Sequence, residues 1–328
     1  MFNKIFDKQY DFVGSLKKSL IFPLVIFLIG IVVLLIFGVK QDINFSGGTI
    51  LEYSYTGEIK MDDAEAAIKE AIELPFSLDV KKPFSQTDLS YLTVNLTQKT
   101  VLSVDQMNDI TAALIEKFPE QGIEMAQQNT VNPSIGASLF AKALFTLFLA
   151  MVFVTFYIGI RFRKIGGISA GSFTLAALIH DMIFCFFILV FFRIPLDMNF
   201  IAVMLTILGY SLNNTIVIYD RIREEKEKSG SKLSLRELTN SSINKTLRRT
   251  INTTITTFCA IITVCIVAYA CGLDSIISFA LPMSFGVAIG CFSSVFLSGP
   301  LWVHWEEYRA KQNQKKGKGK GSAKGKKH

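Results

Sequence analysis

His180 and Asp181 stand side by side at the centre of residues 165–192, a run that is otherwise apolar and uncharged. A second apolar run carries Tyr210, Asn213 and Asn214, with Thr206 one turn earlier. A third opens on Arg248-Arg249 and continues with Thr250, Thr253 and Thr257 at helical spacing. An imidazole beside a carboxyl group can accept and pass a proton. Amides and hydroxyls on neighbouring faces can solvate water, an ion or a neighbour's backbone. Each such group is expensive in hydrocarbon unless it is paired or neutral, so His180, Asp181, Asn213, Asn214 and Arg249 are the candidates for function. Two readings stand on these residues alone: a proton or ion relay whose titration moves helices, and a satisfied hydrogen-bond network that holds three helices together. Arg249 has a further reading, a basic anchor snorkelling to the headgroups.

The elements that must position these residues are long apolar helices. Residues 19–39, 143–160, 165–192, 198–219, 250–273 and 275–303 are each long enough to cross a hydrocarbon core of about 30 Å, which takes roughly 20 helical residues. Half the residues are hydrophobic, 28 are Phe and the mean hydropathy is +0.40, a composition foreign to soluble domains of 328 residues. The expected fold class is therefore a mainly α membrane protein with six transmembrane helices. Charge sets the expected orientation. Residues 40–132 hold seven Lys against fifteen Asp and Glu, whereas residues 1–18, 161–164, 220–249 and 304–328 are all net basic. Lys and Arg mark the cytoplasmic side, so both termini and loop 220–249 are expected there and segment 40–132 outside. The first run is too long for a signal-peptide core and lacks a small-x-small cleavage site, so it is expected to remain as an anchor.

Segment 40–132 reads as an α+β domain. Strands are expected at 49–56, 76–84, 91–97 and 123–131. Helices are expected at 62–72, opening on Asp62-x-x-Glu65, and at 103–118, opening on Ser103-x-x-Gln106. The order β-α-β-β-α-β is the ferredoxin-like pattern. With no His, no Cys and no metal-ligand spacing, this domain suits binding or mechanical work rather than catalysis, and no cofactor or metal is expected. The five Cys (185, 259, 265, 271, 291) fall in the expected helices and read as buried thiols. Gly167-x-x-x-Gly171 and Gly286-x-x-x-Gly290 are spacings that let helices approach closely, and Pro282 should start or kink the sixth helix. The Lys/Gly/Ser-rich tail from Lys311 is expected to be disordered, with anionic lipid as its partner. Trp302 and Trp305 fall where an interfacial aromatic belt would sit.

Six motifs in order give a resemblance to the SecF family, one half of the SecD–SecF complex of the bacterial protein-export channel, itself akin to the RND permeases. Tyr10-Asp11-Phe12-Val13-Gly14 resembles its N-terminal motif, and Asp42-Ile43-Asn44-Phe45-Ser46-Gly47-Gly48-Thr49 its entry into the outer domain. Leu178-Ile179-His180-Asp181, Gly209-Tyr210-Ser211-Leu212-Asn213-Asn214-Thr215, Asp220-Arg221-Ile222-Arg223-Glu224 and Thr246-Leu247-Arg248-Arg249-Thr250 are similar to its later signatures, so the resemblance covers residues 10–305. It implies a non-enzymatic accessory subunit that uses the transmembrane ion gradient to help draw polypeptide outward late in export. The implied partners are SecD, the SecYEG channel, YajC and the exported chain. Gly47, Gly48 and Pro133 become candidates for a hinge between domain and membrane, and Tyr210 and Asn214 are expected to face SecD.

Two departures bear on that reading. The family's Val-Gly-Pro before the second helix is Val131-Asn132-Pro133 here, and the acidic residue implicated in proton coupling opposite the equivalent of Arg249 is Asn214. An amide cannot titrate, so ionisable work would pass to Asp181, to His180 or to a carboxylate of SecD, or a neutral oxygen-rich site would serve Na⁺. Two alternatives are a structural translocon subunit without ion coupling and an RND-type small-molecule exporter. The latter normally needs twice the helices and larger outer domains. No Walker A sequence is present, so ATP hydrolysis is not expected.

Overall fold

The computed structural model describes residues 8–81, 89–96, 102–230 and 232–324. After a helical turn, α1 (Leu16–Ser19), the first membrane helix α2 spans Ile21–Phe37. Apolar on all sides, it leaves Leu24, Leu28 and Leu35 largely exposed, as a lipid-facing helix must. The other membrane helices are α6 (Pro133–Arg161), α7 (Gly167–Phe191), α8 (Met198–Ser229), α9 (Leu235–Ala270) and α10 (Asp274–Ser293). A π-helical turn, Ser294–Ser298, joins α10 to α11 (Gly299–Lys324) without a break. Among the described residues, six helices are thus long and apolar enough to span a membrane. Half of the apolar window is buried within the chain for α7, α8 and the last helix, but only 11–17% for α2, α6 and α9. The first three therefore form the packed centre and the rest its periphery.

Several boundaries move from the expected ones for local reasons. Helix α9 starts about fifteen residues early, because Ser234 and Glu237 form a capping box that begins the helix at Leu235. Together with the extension of α8 to Ser229, this makes nearly all of the expected loop 220–249 helical. Ion pairs Arg161–Asp220 (3.0 Å), Lys164–Glu227 (3.0 Å) and Lys245–Glu225 (2.7 Å) brace these extensions. The tail expected to be disordered is helical to Lys324. Pro282 lies inside α10 and does not start it. Of the five thiols only Cys185 is fully buried. Cys259 and Cys271 are exposed on the periphery, Cys271 at the C-terminal cap of α9, so the expectation of buried thiols fails for them.

The outer domain contains β1 (Gly48–Thr56), α4 (Met61–Ala71), β2 (Ser77–Lys81), β3 (Leu89–Leu96), α5 (Val104–Lys117) and β4 (Glu124–Val131). All pairings are antiparallel in the order β2-β3-β1-β4, the ferredoxin-like arrangement. Helix α5 opens on the expected Ser103/Gln106 capping box. Helix α4 does not open on Asp62: Lys60 is the N-cap, and Asp62 sits in the first turn, favourably for the helix dipole. The expected strand residues 82–84 and 97 lie outside the described residues. Leu51, Tyr53, Leu92 and Val94 on one sheet face meet Ile68, Ile110 and Leu114 of the two helices in the domain core. The other face, with Glu52, Asp79, Thr93 and Gln127, lines a polar cleft of about 1230 Å³ above the outer ends of the membrane helices.

A short helix α3 (Ile43–Ser46), capped by Asp42, joins the domain to the bundle. Gly47 has φ +76°, and a Cβ there would lie 2.5 Å from Pro133 Cα. At Gly48 (φ +136°) it would strike the Leu96 carbonyl. Gly47, Gly48 and Pro133 therefore meet at one tight joint where other residues are strained. Asn132 caps α6 at this joint by accepting the Ser134 N–H (3.0 Å).

Candidate functional site

Asp181 is completely buried at the centre of the bundle. It lies 14 residues into α7, about 21 Å along the helix at 1.5 Å per residue. Ser211 of α8 and Ser293 of α10 both donate to its Oδ2, each at 2.7 Å. His180 Nδ1 lies 2.9 Å from Oδ1. Three helices thus converge on one carboxyl group, and no Lys or Arg among the described residues contacts it. The far nitrogen of His180, Nε2, is buried without a partner among the described residues, and its ring lies 5.3 Å from that of Phe27 on α2. This arrangement satisfies the carboxyl group from three helices and leaves one buried imidazole nitrogen unpaired among the described residues.

Small residues make this convergence possible. A Cβ at Gly286 would collide with Ile207 of α8 and lie 3.0 Å from Cys185 Sγ of α7; at Gly290 it would lie 3.1 Å from Ser211 Cβ. A Cβ at Gly167 would lie 2.6 Å from the Gly159 carbonyl of α6, and one at Gly171 3.2 Å from that of Thr155. Both expected small-residue spacings therefore mark close helix contacts. Below Asp181 the buried hydroxyls continue toward the α7 N-terminus. Thr215 donates to Ser294 Oγ (3.1 Å), Ser294 to the Ser211 carbonyl (3.1 Å), and Tyr219 meets Ser298 (3.0 Å). Ser294 and Ser298 are the two ends of the π-helical turn, a distortion common at functional sites.

The remaining candidates separate. Asn214 is buried, and its side-chain NH₂ has no partner among the described residues. Tyr210 is half-buried and donates to Thr254 of α9 at 3.0 Å. Of the two residues expected to face a partner, Asn214 turns inward with Ser211, Tyr210 keeps part of its surface exposed, and Asn213 is the exposed amide. Arg249 is exposed, on a stripe of α9 shared with Asn252, Thr253 and Thr256, and joins neither Asp181 nor Asn214. Sequence reasoning passed over Ser211 and Ser293. A serine at i−3 from Asn214 and the Ser293-Ser294 pair one turn after Gly290 were the available signals, but serines are too common in membrane helices to stand out.

The N-terminal motif also finds its place. The Tyr10 and Val13 N–H groups donate to Asn244 and Asn240 of α9 (3.0 Å each), and Asn240 donates to Asp11 at 2.7 Å. The segment is thus clamped across the start of the fifth membrane helix.

Residues 110–308 match the family described as protein export membrane protein SecD/SecF, C-terminal. The chain belongs to the SecD/SecF family. The protein translocase subunit SecF of Rickettsia prowazekii is 30% identical over 304 residues, covering 91% of each chain. SecF of Petrotoga mobilis is 27% identical over 92% of this chain and 97% of its own. SecDF of Bacillus subtilis is 28% identical over 93% of this chain, which spans only 39% of that longer relative. Among solved structures, SecDF from Thermus thermophilus superposes with a TM-score of 0.72 at 25% identity, over 92% of this chain and 39% of that one. SecDF in its super-membrane-facing form gives 0.66. Membership in the SecD/SecF family and the six apolar helices make this a multi-pass membrane protein.

Proposed function

We propose that this chain is the SecF-type subunit of a protein translocase and that Asp181 is where it senses the transmembrane ion gradient. The carrying observation is a fully buried carboxyl group gripped by Ser211 and Ser293 from two other helices, with His180 on its second oxygen. A change in its protonation alters the hydrogen bonds that hold α7, α8 and α10 together, and so biases how they pack. One charge moved through ~100 mV releases about 2.3 kcal/mol, comparable to one or two such bonds. The closely packed Gly47–Pro133 joint would carry that motion to the outer domain. Asn214 cannot titrate, which is why this assignment falls on Asp181.

Charge asymmetry supports a cytoplasmic location for both termini, with residues 40–132 outside. The SecDF relatives, more than twice as long, support a SecD-type partner that completes the bundle. The SecYEG channel and the exported polypeptide are the further partners of this reading. Vesicles containing the complex test it. Asp181→Asn should assemble normally yet lose the export increment produced by an imposed proton or sodium gradient. Export at the wild-type rate would favour a purely structural subunit. Cysteine at Glu58 should be labelled by an impermeant reagent from outside, and cysteine at Lys232 should not.

A further inference from the structure

A cavity of about 800 Å³ opens where the turn between α6 and α7 meets α11, lined by Gly159, Arg163, Ser172, Phe173 and, from α11, Trp305 and Arg309. Its charge is unbalanced. The neighbouring basic residues are neutralised, Arg161 by Asp220, Lys164 by Glu227 and Arg236 by Glu307. Arg163 and Arg309 form no ion pair among the described residues. The carboxylate beside the cavity, Glu306, is held by Ser169 Oγ at 2.6 Å, and Ser169 in turn accepts from Trp302 Nε1 at 3.1 Å. Two guanidinium groups therefore face an open space whose bordering carboxylate is bound by the Ser169 hydroxyl and forms no ion pair among the described residues. The first-turn N–H groups of the 25-residue α7 add positive potential at the same rim.

The shape narrows the ligand class. From Arg163 and Arg309 the cavity runs inward to Gly159, Ser172 and Phe173, more than one helical turn into α7. Ile168 is 82% exposed at its mouth and Trp305 46%. A free inorganic anion would satisfy the arginines but leave this apolar inner part empty. A phosphodiester headgroup with acyl chains fills both parts, and Arg matches phosphate oxygens in bidentate fashion. We infer that this cavity is a binding site for an anionic phospholipid, of the phosphatidylglycerol or cardiolipin class, wedged between the first cytoplasmic turn and the last membrane helix. Gly159, Gly166 and Gly167 keep the cavity free of side chains on two of its walls. The inference rests on the helices being membrane-embedded and is independent of gradient coupling at Asp181.

Native mass spectrometry of the detergent-purified full chain, with phosphatidylglycerol and phosphatidylcholine supplied equally, reads the site directly. The wild type should retain phosphatidylglycerol preferentially. Arg163→Gln/Arg309→Gln should lower that retention by on the order of tenfold or more, since each basic group near a headgroup contributes about a factor of five. Both residues are exposed, so the variant should keep the wild-type elution profile and melting temperature. A Lys164→Gln control, which removes a charge already paired with Glu227, should leave retention within about twofold. Inorganic phosphate at tens of millimolar should not displace the lipid. Unchanged retention in the double variant, equal retention of both lipids, or full displacement by phosphate would each overturn the inference.

Discussion

Removing the two serines one at a time measures what the carboxyl group at the centre of the bundle does. Ser211→Ala and Ser293→Ala each delete one oxygen and nothing else. Both side chains are fully buried, and both donate to the same Asp181 oxygen at 2.7 Å. A hydrogen bond to an ionised group contributes about 1.5–3 kcal/mol and one between neutral groups about 0.5–1.5 kcal/mol. Each single variant should therefore lower unfolding free energy by roughly 0.5–3 kcal/mol, and the size reports the protonation state of Asp181 in the resting protein. The same serine changes made on Asp181→Asn supply the decisive comparison. An amide oxygen still accepts, but the charge-assisted part is gone, so where the single-variant loss lies in the ionised range a coupling energy of about 1 kcal/mol or more between serine and aspartate is expected. The assay is equilibrium unfolding of the detergent-solubilised complex by thermal and denaturant titration at pH 6 and pH 8. If the single-variant loss lies in the ionised range and serine removal still has the same effect in the wild-type and Asp181→Asn backgrounds, within about 0.3 kcal/mol, the serines do not act through the carboxyl group. The mechanical link between its protonation and helix packing then fails.

Gly286→Ala should destabilise the bundle by about 1–3 kcal/mol, because its Cβ lands on Ile207. Adding Ile207→Ala should cost less than the two single changes together, as read by the melting temperature of each variant. Asn240→Ala should release residues 10–14 to limited proteolysis, since Asn240 accepts from Val13 N–H and donates to Asp11. The Gly14 N–H and Asn240 hold the Asp11 carboxyl below its ordinary value of 3.8, so its contribution to the clamp is complete above that value. It fades as pH falls through the lowered one, and the variant should lose part of this acid dependence, the Gly14 N–H keeping the larger share. Asn132→Ala should cost about 1 kcal/mol by uncapping α6, whereas Asn132→Gly should cost only a few tenths and restore freedom at the joint, seen as faster hydrogen exchange at Ser134.

Composition and hydropathy were enough to expect six helices, because a bilayer leaves a chain few other ways to satisfy its backbone. The outer domain was equally legible, down to the Ser103/Gln106 box, since alternating strands and amphipathic helices each carry their own period. Helix ends were harder to read. The polar stretch 220–249 has the composition of a loop, yet a capping box at Ser234 and cross-helix ion pairs make nearly all of it helical. His180 and Asp181 stood out because charge in an apolar run is rare. Their serine partners did not, because a hydroxyl becomes informative only when three helices bring it to a carboxyl group. The motif resemblance placed Asn214 opposite Arg249, but helical phase settles direction: Asn214 follows Ser211 by three residues and turns inward, while Asn213 and Arg249 face out.

That division of polar groups separates two jobs. Asp181 is satisfied entirely by this chain, so its hydrogen bonds exist before any partner arrives. Arg249, Asn252, Thr253 and Thr256 lie along the outer face of α9, and Thr206 and Asn213 along an exposed face of α8. Hydrocarbon cannot satisfy such a surface, least of all a guanidinium group. A second set of helices carrying acceptors can, and pairing Arg249 with a carboxylate from that set would restore across the interface the opposition that Asn214 removes from within this chain. On this view gradient sensing is divided between an internal carboxyl group that reports through helix packing and an interfacial arginine that reports through subunit contact. A variant at Arg249 should then weaken assembly with the partner while leaving the unfolding behaviour of the Asp181 cluster unchanged, and a variant at Asp181 should do the reverse.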